Sequence, residues 1–568
     1  MNEFELKFEI PAPSLPQIVA AMHAKKAQLQ MLRACYFDTR DGALASNGLV
    51  LRLRQEGSNW VQTAKGMTNS PLERLEHNVK IQLPKSTMLK SSVFKSSVSK
   101  SSLLNTTLPN IDLSRHADEK IGKLIINALK IKPDETFPEL IPIYETDVQR
   151  LKYSLKHAGS LIEIALDQGM VISGGRSATL CELEIELKQG KPEHAIALAR
   201  TWCATYGLWI STITKSMKGQ RLHDHLRSSQ LKYATLEDKP ELKSNANGQQ
   251  IVIEVFQSCL NPILAHASEI ASEIASEIAS VKASEIAGEA GGGSEQADHI
   301  HQLRVGIRRL RTAMRELKML SDRINPAWEM PLIDAFRALG QHRDDDYFLH
   351  NLQPQILAAG GQNINKQRVD SNIVAPSLVI RAPIFQDNLL CLLGFVHGVN
   401  LNSIALSNPP INLGVDVESD KKSSINNLNH KQAKKIIIKR LNKLYEPMIK
   451  LSDKFLSLNE TQQHTVRKKF KRLRYLAEFS SPIFATSSSA NSNIQFFIAG
   501  LKPVQDALGL YNDELMALQT YRKLAVKDKR AWFGVGWLSA RRKPNAKLCQ
   551  HEIRHFIKRC TKKKPFWQ

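Results

Sequence analysis

The sequence is poor in cysteine, and its cysteines form no recognisable set. Seven of them are scattered between positions 35 and 560, and no CxxC occurs among the 568 residues. An odd, dispersed set favours neither a disulfide framework nor a structural zinc site. The pattern predicts free thiols in a reducing compartment.

Long apolar runs are also lacking. The longest, around 389–399, is too short to cross a bilayer, and the first ten residues, MNEFELKFEI, hold no apolar signal core. We therefore expect a cytoplasmic protein without a membrane partner. The chain is 42% hydrophobic, and its length allows two large domains or three to four average ones.

Acidic residues are scarce relative to basic ones, with 55 Asp and Glu against 78 Lys and Arg, which gives a net charge of +23. Such an excess indicates an anionic partner, which could be nucleic acid, a phosphate polymer or a membrane surface. Aromatic residues make up only 6% of the chain and do not interleave with its basic stripes, as base stacking requires. Nucleic acid is therefore disfavoured.

One basic segment occurs twice, as HQLRVGIRRLR at 301–311 and as HTVRKKFKRLR at 464–474. In both, basic residues follow a histidine at +3, +7 and +10, and apolar residues follow it at +2, +6 and +9. This spacing places the two sets on opposite faces of a helix. A polyanion best relieves repulsion along the basic stripe, although two solvated faces of a bundle are the alternative. The predicted polyanion-binding residues are His301, Arg304, Arg308, Arg311, His464, Arg467, Lys471 and Arg474.

A second repeated element follows each basic segment, as LGQHRDDD at 339–346 and as LGLYNDE at 508–514. Two matching units predict an all-α helical bundle with an internal pseudo-twofold repeat. We expect the acidic residues of this element to orient arginines of the basic stripe rather than to bind metal.

The N-terminal third alternates between charged and apolar residues. Residues 2–10, 50–54 and 181–188 each show the period of two that is typical of a strand with one charged and one apolar face. A closed barrel can turn such charged faces inward around a ligand. Carboxylates can then hold a hard divalent cation, and Arg and Lys side chains can hold phosphate oxygens. For any single segment, a solvated edge strand is the alternative.

Within this pattern, Glu3-x-Glu5-x-Lys7 resembles the ExExK signature of the CYTH domain, the triphosphate tunnel metalloenzyme superfamily. Further motifs of the superfamily follow in order over residues 1–225. They are Tyr36–Thr39, Leu51–Arg54, Lys65, Arg74–Glu76, Arg150–Lys152, Ile162–Gly169, Cys181–Leu187 and Thr214–Gly219. The series is similar to that of bacterial inorganic triphosphatases, in which a CHAD domain follows the CYTH domain.

The resemblance implies an eight-stranded antiparallel β-tunnel that hydrolyses a triphosphate with Mg²⁺ or Mn²⁺. The implied metal ligands are Glu3, Glu5, Glu184 and Glu186. The implied catalytic residues are Lys7, Arg52, Arg54, Lys65, Glu76, Arg150 and Asp167. The implied substrate-binding residues are Lys7, Arg52, Arg54, Lys65, Arg74, Arg150, Lys152 and Lys215.

The duplicated His-x-x-Arg pattern resembles the CHAD domain, which implies a helical domain whose basic face binds polyphosphate. We thus expect an α+β chain with a tunnel at 1–225, a linker at 226–250 and a helical domain at 251–568. Three stretches of biased composition are interpreted as insertions, at about 85–110, 267–293 and 358–430.

The favoured function is metal-dependent hydrolysis of inorganic triphosphate to diphosphate and phosphate, with polyphosphate bound by the helical domain. Two alternatives stay open. One is a non-catalytic polyphosphate scaffold, and the other is a tunnel enzyme that acts on thiamine triphosphate or ATP. The sequence predicts neither the general base, nor the choice between Mg²⁺ and Mn²⁺, nor the oligomeric state.

Overall fold

The computed structural model describes residues 2–57, 59–67, 73–81, 108–130, 138–224, 240–243, 245–272, 292–364, 373–398, 428–451 and 453–568. The chain divides into two compact units. The first contains residues 1–236, 267–292 and 381–408, and the second contains residues 237–266, 293–380 and 409–568. The predicted boundaries at 225 and 250 stay predictions. Most of the stretches at 85–110 and 267–293 lie outside the described residues.

Antiparallel strands form the sheet of the first unit. They are β1 (Asn2–Glu9), β2 (Gln28–Asp38), β3 (Leu49–Glu56), β4 (Asn59–Met67), β5 (Glu73–Ile81), β6 (Ile141–His157), β7 (Ser160–Ser173), β8 (Arg176–Gln189) and β9 (Trp209–Ile210). Their order is β5-β4-β3-β2-β6-β7-β8-β1-β9, and β1 also pairs with β5. Eight strands therefore follow one another around a ring, and the predicted antiparallel architecture of the N-terminal part is confirmed.

The alternating sequence explains why this ring has a charged inner surface. On β1, Leu6 and Phe8 are fully buried, whereas Lys7 and Glu9 point to the other side of the strand and meet charged partners. The buried apolar face is covered in part by helix α4 (Pro192–Tyr206), which packs on β1 and β8. The other helices of this region are α1 (Leu15–Ala24), α2 (Ala43–Ser46), α3 (Lys120–Ala128) and α5 (Lys215–Asp224).

Helix α5 lies against β6, β7 and β8. Its close approach requires a glycine, because a Cβ at Gly219 would lie 2.1 Å from the Cδ2 atom of Tyr144. This contact brings the first turn of α5, with Lys215 and Lys218, to the inner charged surface of the ring.

The remaining helices are α6 (Gly248–Ala271), α7 (Gly292–Leu317), α8 (Glu329–Asp346), α9 (Gln353–Ala358), α10 (Pro376–Arg381), α11 (Pro383–Val396), α12 (His430–Leu451), α13 (Glu460–Phe484), α14 (Ser488–Ala525) and α15 (Ala531–Lys562). The predicted helical architecture of the C-terminal part is therefore confirmed. The apolar residues at +2, +6 and +9 of both basic segments are buried, as the helical period requires: Leu303, Ile307, Leu310, Val466, Phe470 and Leu473. No helix in the described part of the chain is long and apolar enough to cross a membrane.

Helix α11 falls inside the stretch predicted as an insertion at 358–430, yet it belongs to the first unit. It packs on α4, where Arg200 donates to both carboxylate oxygens of Asp387 at 2.6 and 3.0 Å. Gln386 accepts a hydrogen bond from the backbone N–H of Ile210 at 2.8 Å. Residues 365–372 and 399–427 of the same stretch lie outside the described residues.

Candidate active site

Carboxylates line one side of the ring, on three neighbouring strands. This acidic wall consists of Glu5 and Glu9 of β1, Glu163 and Asp167 of β7, and Glu182, Glu184 and Glu186 of β8. The strand register aligns them in rows, because Glu182 pairs with both Glu9 and Asp167, and Glu186 pairs with both Glu5 and Glu163.

Three of these carboxylates converge on one point. One oxygen each of Asp167, Glu182 and Glu184 lies within 4.8 Å of the others, and both Asp167 and Glu182 are 0% exposed. Lys215 of α5 contacts all three. Its Nζ lies 2.8 Å from Asp167 Oδ2 and 2.7 Å from Glu184 Oε1, and it also donates to Glu182 Oε1. The ammonium therefore lies at the meeting point of the carboxylates.

Arg150 of β6 is the second cation of this cluster. It donates to the two oxygens of Asp167, both at 2.6 Å, and also to Glu184. Burial opposes the ionisation of Glu182, yet the charge of Lys215 lowers its pKa to about 2. Despite burial, Lys215 and Arg150 hold the pKa of Glu184 well below its usual range. Both glutamates are therefore ionised at neutral pH.

Two further lysines lie beside Glu182. Lys218, which is 2% exposed, lies 3.4 Å from Glu182 Oε2 and 3.7 Å from Glu9 Oε1. Lys7 lies 4.0 Å from Glu182 Oε2 and donates to the carbonyl of Ile213, just before α5. Lys7 thus contacts both the acidic wall and the segment that leads into α5.

The opposite side of the ring is cationic. Arg52 projects from β3 and Lys65 from β4; Lys65 pairs with Glu76 at 2.5 Å, and Arg52 lies 3.8 Å from the same carboxylate. Despite burial, Lys65 and Arg52 lower the pKa of Glu76 to about 2. Glu76 is therefore the anion that holds these two cations in place.

Arg52 and Arg54 keep spare hydrogen-bonding capacity. Their Nε atoms are buried and have no hydrogen-bond partner among the residues described, and Arg52 is 8% exposed. Burial, followed by the charge of Arg52, lowers the pKa of Arg54. A buried N–H without an acceptor is costly unless a ligand supplies one. An anion with oxygen acceptors inside the ring would satisfy both groups.

Other residues implied by the resemblance lie further along the acidic wall. Lys152 pairs with Glu163 at 3.4 Å, and Lys188 bridges Glu163 and Glu186 at 3.6 and 2.5 Å. Glu5 lies opposite Glu186 in the pairing of β1 with β8. The ligand role predicted for Glu5 and Glu186 stays a prediction.

Two predicted residues are described only by their backbone. Glu3 and Arg74 face each other where β1 pairs with β5, and their side chains lie outside the described part of the chain.

Glu182, Glu9 and Lys218 were not among the predicted site residues. The alternation of Glu182 with Glu184 and Glu186 was the available signal, because all three share one strand face. The strand period does not tell which end of that face meets α5, so Glu182 could not be placed beside Lys215 in advance.

The carboxylate cluster fits a divalent cation in its chemistry. Mg²⁺ and Mn²⁺ take oxygen ligands, carboxylates above all. Asp167, Glu182 and Glu184 offer three carboxylates whose oxygens already converge. Lys215 shares these oxygens, so the ammonium and a metal ion would use the same ligands.

In the helical unit, the two basic segments lie on α7 and α13, and their side chains meet. Arg308 of α7 donates to the hydroxyl of Tyr475 on α13 at 3.0 Å, and Arg309 donates to Glu478 at 2.6 Å. Burial, together with the charges of Arg308 and Arg467, lowers the pKa of Lys471 to about 6. Basic residues of both segments are therefore close enough to repel one another.

The second repeated element supplies both a cation and an anion to this region. Arg343 donates to both oxygens of Asp513, at 3.2 and 2.7 Å. His464 hydrogen-bonds Asn512 at 2.9 Å. Burial, followed by Arg308 and Arg343, lowers the pKa of His301. The ion pair thus joins the two repeated elements to each other, and Asn512 joins the second of them to a basic segment.

The eight predicted polyphosphate-binding residues are not equivalent. Arg311 pairs with Glu329 at 3.0 Å and Arg474 pairs with Glu478 at 2.6 Å. Arg311 and Arg467 each have a buried Nε with no hydrogen-bond partner within the described ranges. Both would therefore gain from an anion that accepts a hydrogen bond there.

Comparisons with known proteins find matches to both the N-terminal and the C-terminal part of the chain. A family model of the CYTH domain matches residues 1–219, and a model of the CHAD domain matches residues 282–372 and 408–522. An inorganic triphosphatase of Haemophilus influenzae is 26% identical over 230 residues, which cover 39% of this chain and 55% of the relative. The match thus spans about half the length of that relative.

Solved structures show more distant similarity. The CHAD domain of the plant Ricinus communis is 18% identical, with 55% of this chain and 93% of that chain covered and a TM-score of 0.40. A candidate adenylyl cyclase from Hippeastrum with a dominant triphosphatase activity is 17% identical, with 37% and 89% covered and a TM-score of 0.23. On the two family matches, the chain carries a CYTH domain at residues 1–219, followed by a CHAD domain.

Proposed function

We propose that this protein hydrolyses inorganic triphosphate inside the CYTH tunnel and that the reaction requires Mg²⁺ or Mn²⁺. The observation that carries the proposal is the division of the inner surface, with carboxylates on β1, β7 and β8 and cations on β3 and β4. A metal–triphosphate complex presents a cation to the first wall and phosphate oxygens to the second. The activity named for the Haemophilus relative supports the same substrate.

The cationic wall would bind the phosphates. The buried Nε groups of Arg52 and Arg54 would donate to phosphate oxygens, and Glu76 would keep Lys65 pointing to the same side. These contacts strengthen as negative charge develops on the oxygens, and so they favour the transition state.

The acidic wall would hold the metal. Asp167, Glu182 and Glu184 would supply oxygens, and Arg150 keeps Asp167 and Glu184 oriented. Glu3, Glu5 and Glu186 are retained as further proposed metal ligands. When bound, the metal neutralises charge on the phosphates and activates water. In the hydrolysis, a water oxygen would bond to a terminal phosphorus while the bond from that phosphorus to the bridging oxygen breaks, so that diphosphate and phosphate leave and the excess proton of the water passes to solvent.

Phosphate release from tripolyphosphate, ATP and thiamine triphosphate tests the proposal, each with Mg²⁺, with Mn²⁺ and with EDTA. We expect the highest kcat/KM for tripolyphosphate and no turnover in EDTA. A preference for ATP or thiamine triphosphate would favour the alternative tunnel activity. No metal-dependent release from any of the three would favour the non-catalytic scaffold.

We further propose that the CHAD domain binds inorganic polyphosphate. The supporting observation is the group of cations from both basic segments, in which Arg308 and Arg467 lower the pKa of Lys471. We place the protein in the cytoplasm, a proposal supported by its seven cysteines, all of which are free thiols.

A further inference from the structure

We propose that the ammonium of Lys215 occupies the metal site of the tunnel as an internal counter-ion, and that a divalent cation enters by displacing it. The inference rests on the proposed function, because it concerns the metal that this function requires. It assigns Lys215 a role in controlling metal entry, in addition to its predicted contact with phosphate.

The carboxylates that surround Lys215 are the same ones that form the candidate metal site. Lys215 contacts Asp167, Glu182 and Glu184, and these are the residues whose oxygens converge within 4.8 Å. An ammonium has three N–H donors and no acceptor. Three carboxylates surround it, and two of them accept hydrogen bonds from it, so the position is a built cation site rather than a chance surface contact.

The ammonium of Lys215 and a metal ion cannot share these carboxylates. A divalent cation sits about 2.0–2.6 Å from its oxygen ligands. Lys215 lies 2.7 and 2.8 Å from oxygens of Glu184 and Asp167. Two cations so close in a buried site repel strongly, because little water screens them. Metal binding therefore requires that the lysine leave.

Other cations keep the carboxylates in position when Lys215 leaves. Arg150 holds Asp167 through two hydrogen bonds and also contacts Glu184. On the other side, Lys218 lies 3.4 Å from Glu182. Arg150 and Lys218 contact other oxygens of Glu184 and Glu182 than Lys215 does, so they can remain as supports when Lys215 moves.

Displacement has a consequence for substrate binding. Lys215 is the first residue of α5, and its side chain is 15% exposed, so the four-carbon stem can turn toward the lumen of the ring. There the released ammonium adds a positive charge for phosphate oxygens. Metal and triphosphate should therefore bind with positive coupling, since each favours the same position of Lys215.

Binding of Mn²⁺ to the full chain without substrate tests this inference, with free Mn²⁺ measured by electron paramagnetic resonance. We expect Lys215→Met to bind Mn²⁺ at least tenfold more tightly than the wild type, because the internal competitor is gone. Lys191→Met is the matched control, since Lys191 pairs with Glu193 of α4, which is not part of the acidic wall. It should change the affinity less than threefold.

The outcomes separate this inference from the proposed function. If the wild type binds Mn²⁺ and folded Lys215→Met binds it no more tightly, the displacement is wrong and metal-dependent hydrolysis stands. If neither protein binds Mn²⁺, both the metal requirement and the displacement are wrong.

A second measurement needs no variant, in case Lys215→Met does not fold. Reductive methylation of wild-type protein, followed by peptide mass analysis, reports the accessibility of each lysine. Mn²⁺ should raise the modification of Lys215 severalfold and leave Lys218 unchanged. A Lys215 that Mn²⁺ protects or leaves unaltered would overturn the inference.

Discussion

Buried charges set the properties of this tunnel residue by residue. Asp167 and Glu182 are fully buried, and each is paired with at least one cation. Breaking one partner of such a pair usually costs more than the pair contributes, because an uncompensated charge remains in a low dielectric. Substitutions here should therefore be isosteric where possible, so that loss of function can be told from loss of folding.

The carboxylate cluster can be tested by Glu182→Gln and Glu184→Gln. Each change removes a negative charge and leaves the side-chain shape, so we expect kcat for tripolyphosphate to fall about a hundredfold or more. Circular dichroism should show the fold retained. Asp147→Asn is the control, because Asp147 pairs with Arg33 in a half-exposed position. Near wild-type turnover at saturating Mg²⁺ would exclude the cluster as the metal site.

Glu5→Gln tests a predicted metal ligand that lies outside the cluster of Asp167, Glu182 and Glu184. If Glu5 holds metal, its loss should lower kcat as strongly as the loss of Glu184. A change confined to KM would place Glu5 on the substrate side of the metal.

The phosphate contacts can be tested by Arg52→Ala and Arg54→Ala. Both arginines present a buried Nε without a partner in the portion of the chain described. We expect KM for tripolyphosphate to rise and kcat to fall together, because these contacts tighten as charge develops. Steady-state kinetics at saturating Mg²⁺ give both values. Unchanged constants in both variants would show that the substrate does not reach β3.

Lys471 predicts a pH dependence of polyphosphate binding. Burial and the neighbouring Arg308 and Arg467 lower its pKa to about 6, so the free protein holds it neutral at pH 8. A bound polyanion favours the charged form and raises that pKa, so binding takes up a proton. Affinity should therefore increase as pH falls from 8 toward 6.

Lys471→Arg isolates this effect, because arginine stays charged throughout the range. Titrations with polyphosphate at constant ionic strength should show a shallower pH slope in the variant. His301 and His464, whose pKa values burial lowers, supply the slope that remains. An identical slope in both proteins would contradict the assignment to Lys471.

Among the secondary-structure elements, α5 determines how the tunnel site is completed. Gly219 permits its close approach, since a Cβ there would lie 2.1 Å from the ring of Tyr144. Gly219→Ala should displace α5, lower the melting temperature and reduce triphosphatase activity together. Gly509→Ala on α14 is the control, because nothing lies within 4 Å of a Cβ there and alanine favours a helix. An unaltered activity for Gly219→Ala would show that the position of α5 does not matter for catalysis.

Periodicity explains how far the sequence could predict these elements. A period of two predicted that Lys7 and Glu184 each lie on the charged face of their strand. A helical period predicted that Leu303 and Phe470 each lie on the buried face of their helix. Neither period specifies which elements meet at long range. The contacts of Lys215 with Glu182 and of Arg343 with Asp513 depend on packing between segments far apart in the chain, so they could not be derived from spacing.

For the whole molecule, the strongest expectation concerns ionic strength. Polyphosphate binding should weaken steeply as salt rises, because each neutralised phosphate releases counter-ions. In the full chain, reversing Arg304 and Arg467 together to Glu should weaken binding far more than reversing Lys562 and Lys563. A filter-binding titration compares the two double variants, with single-stranded DNA of equal charge as the competing polymer. Equal losses in both variants would indicate a diffuse polyanion surface.

The tunnel unit is not continuous in the sequence, because it includes helix α11. The CHAD match is interrupted between 372 and 408, and α11 lies in this gap, yet it packs on α4 of the tunnel unit. The CYTH part is therefore not a cassette that can be cut out at one point. A fragment ending near residue 225 would leave Arg200 without Asp387 and the amide of Ile210 without Gln386. Expression of the tunnel alone would thus require α11 to be supplied as a second chain or joined by a new connection.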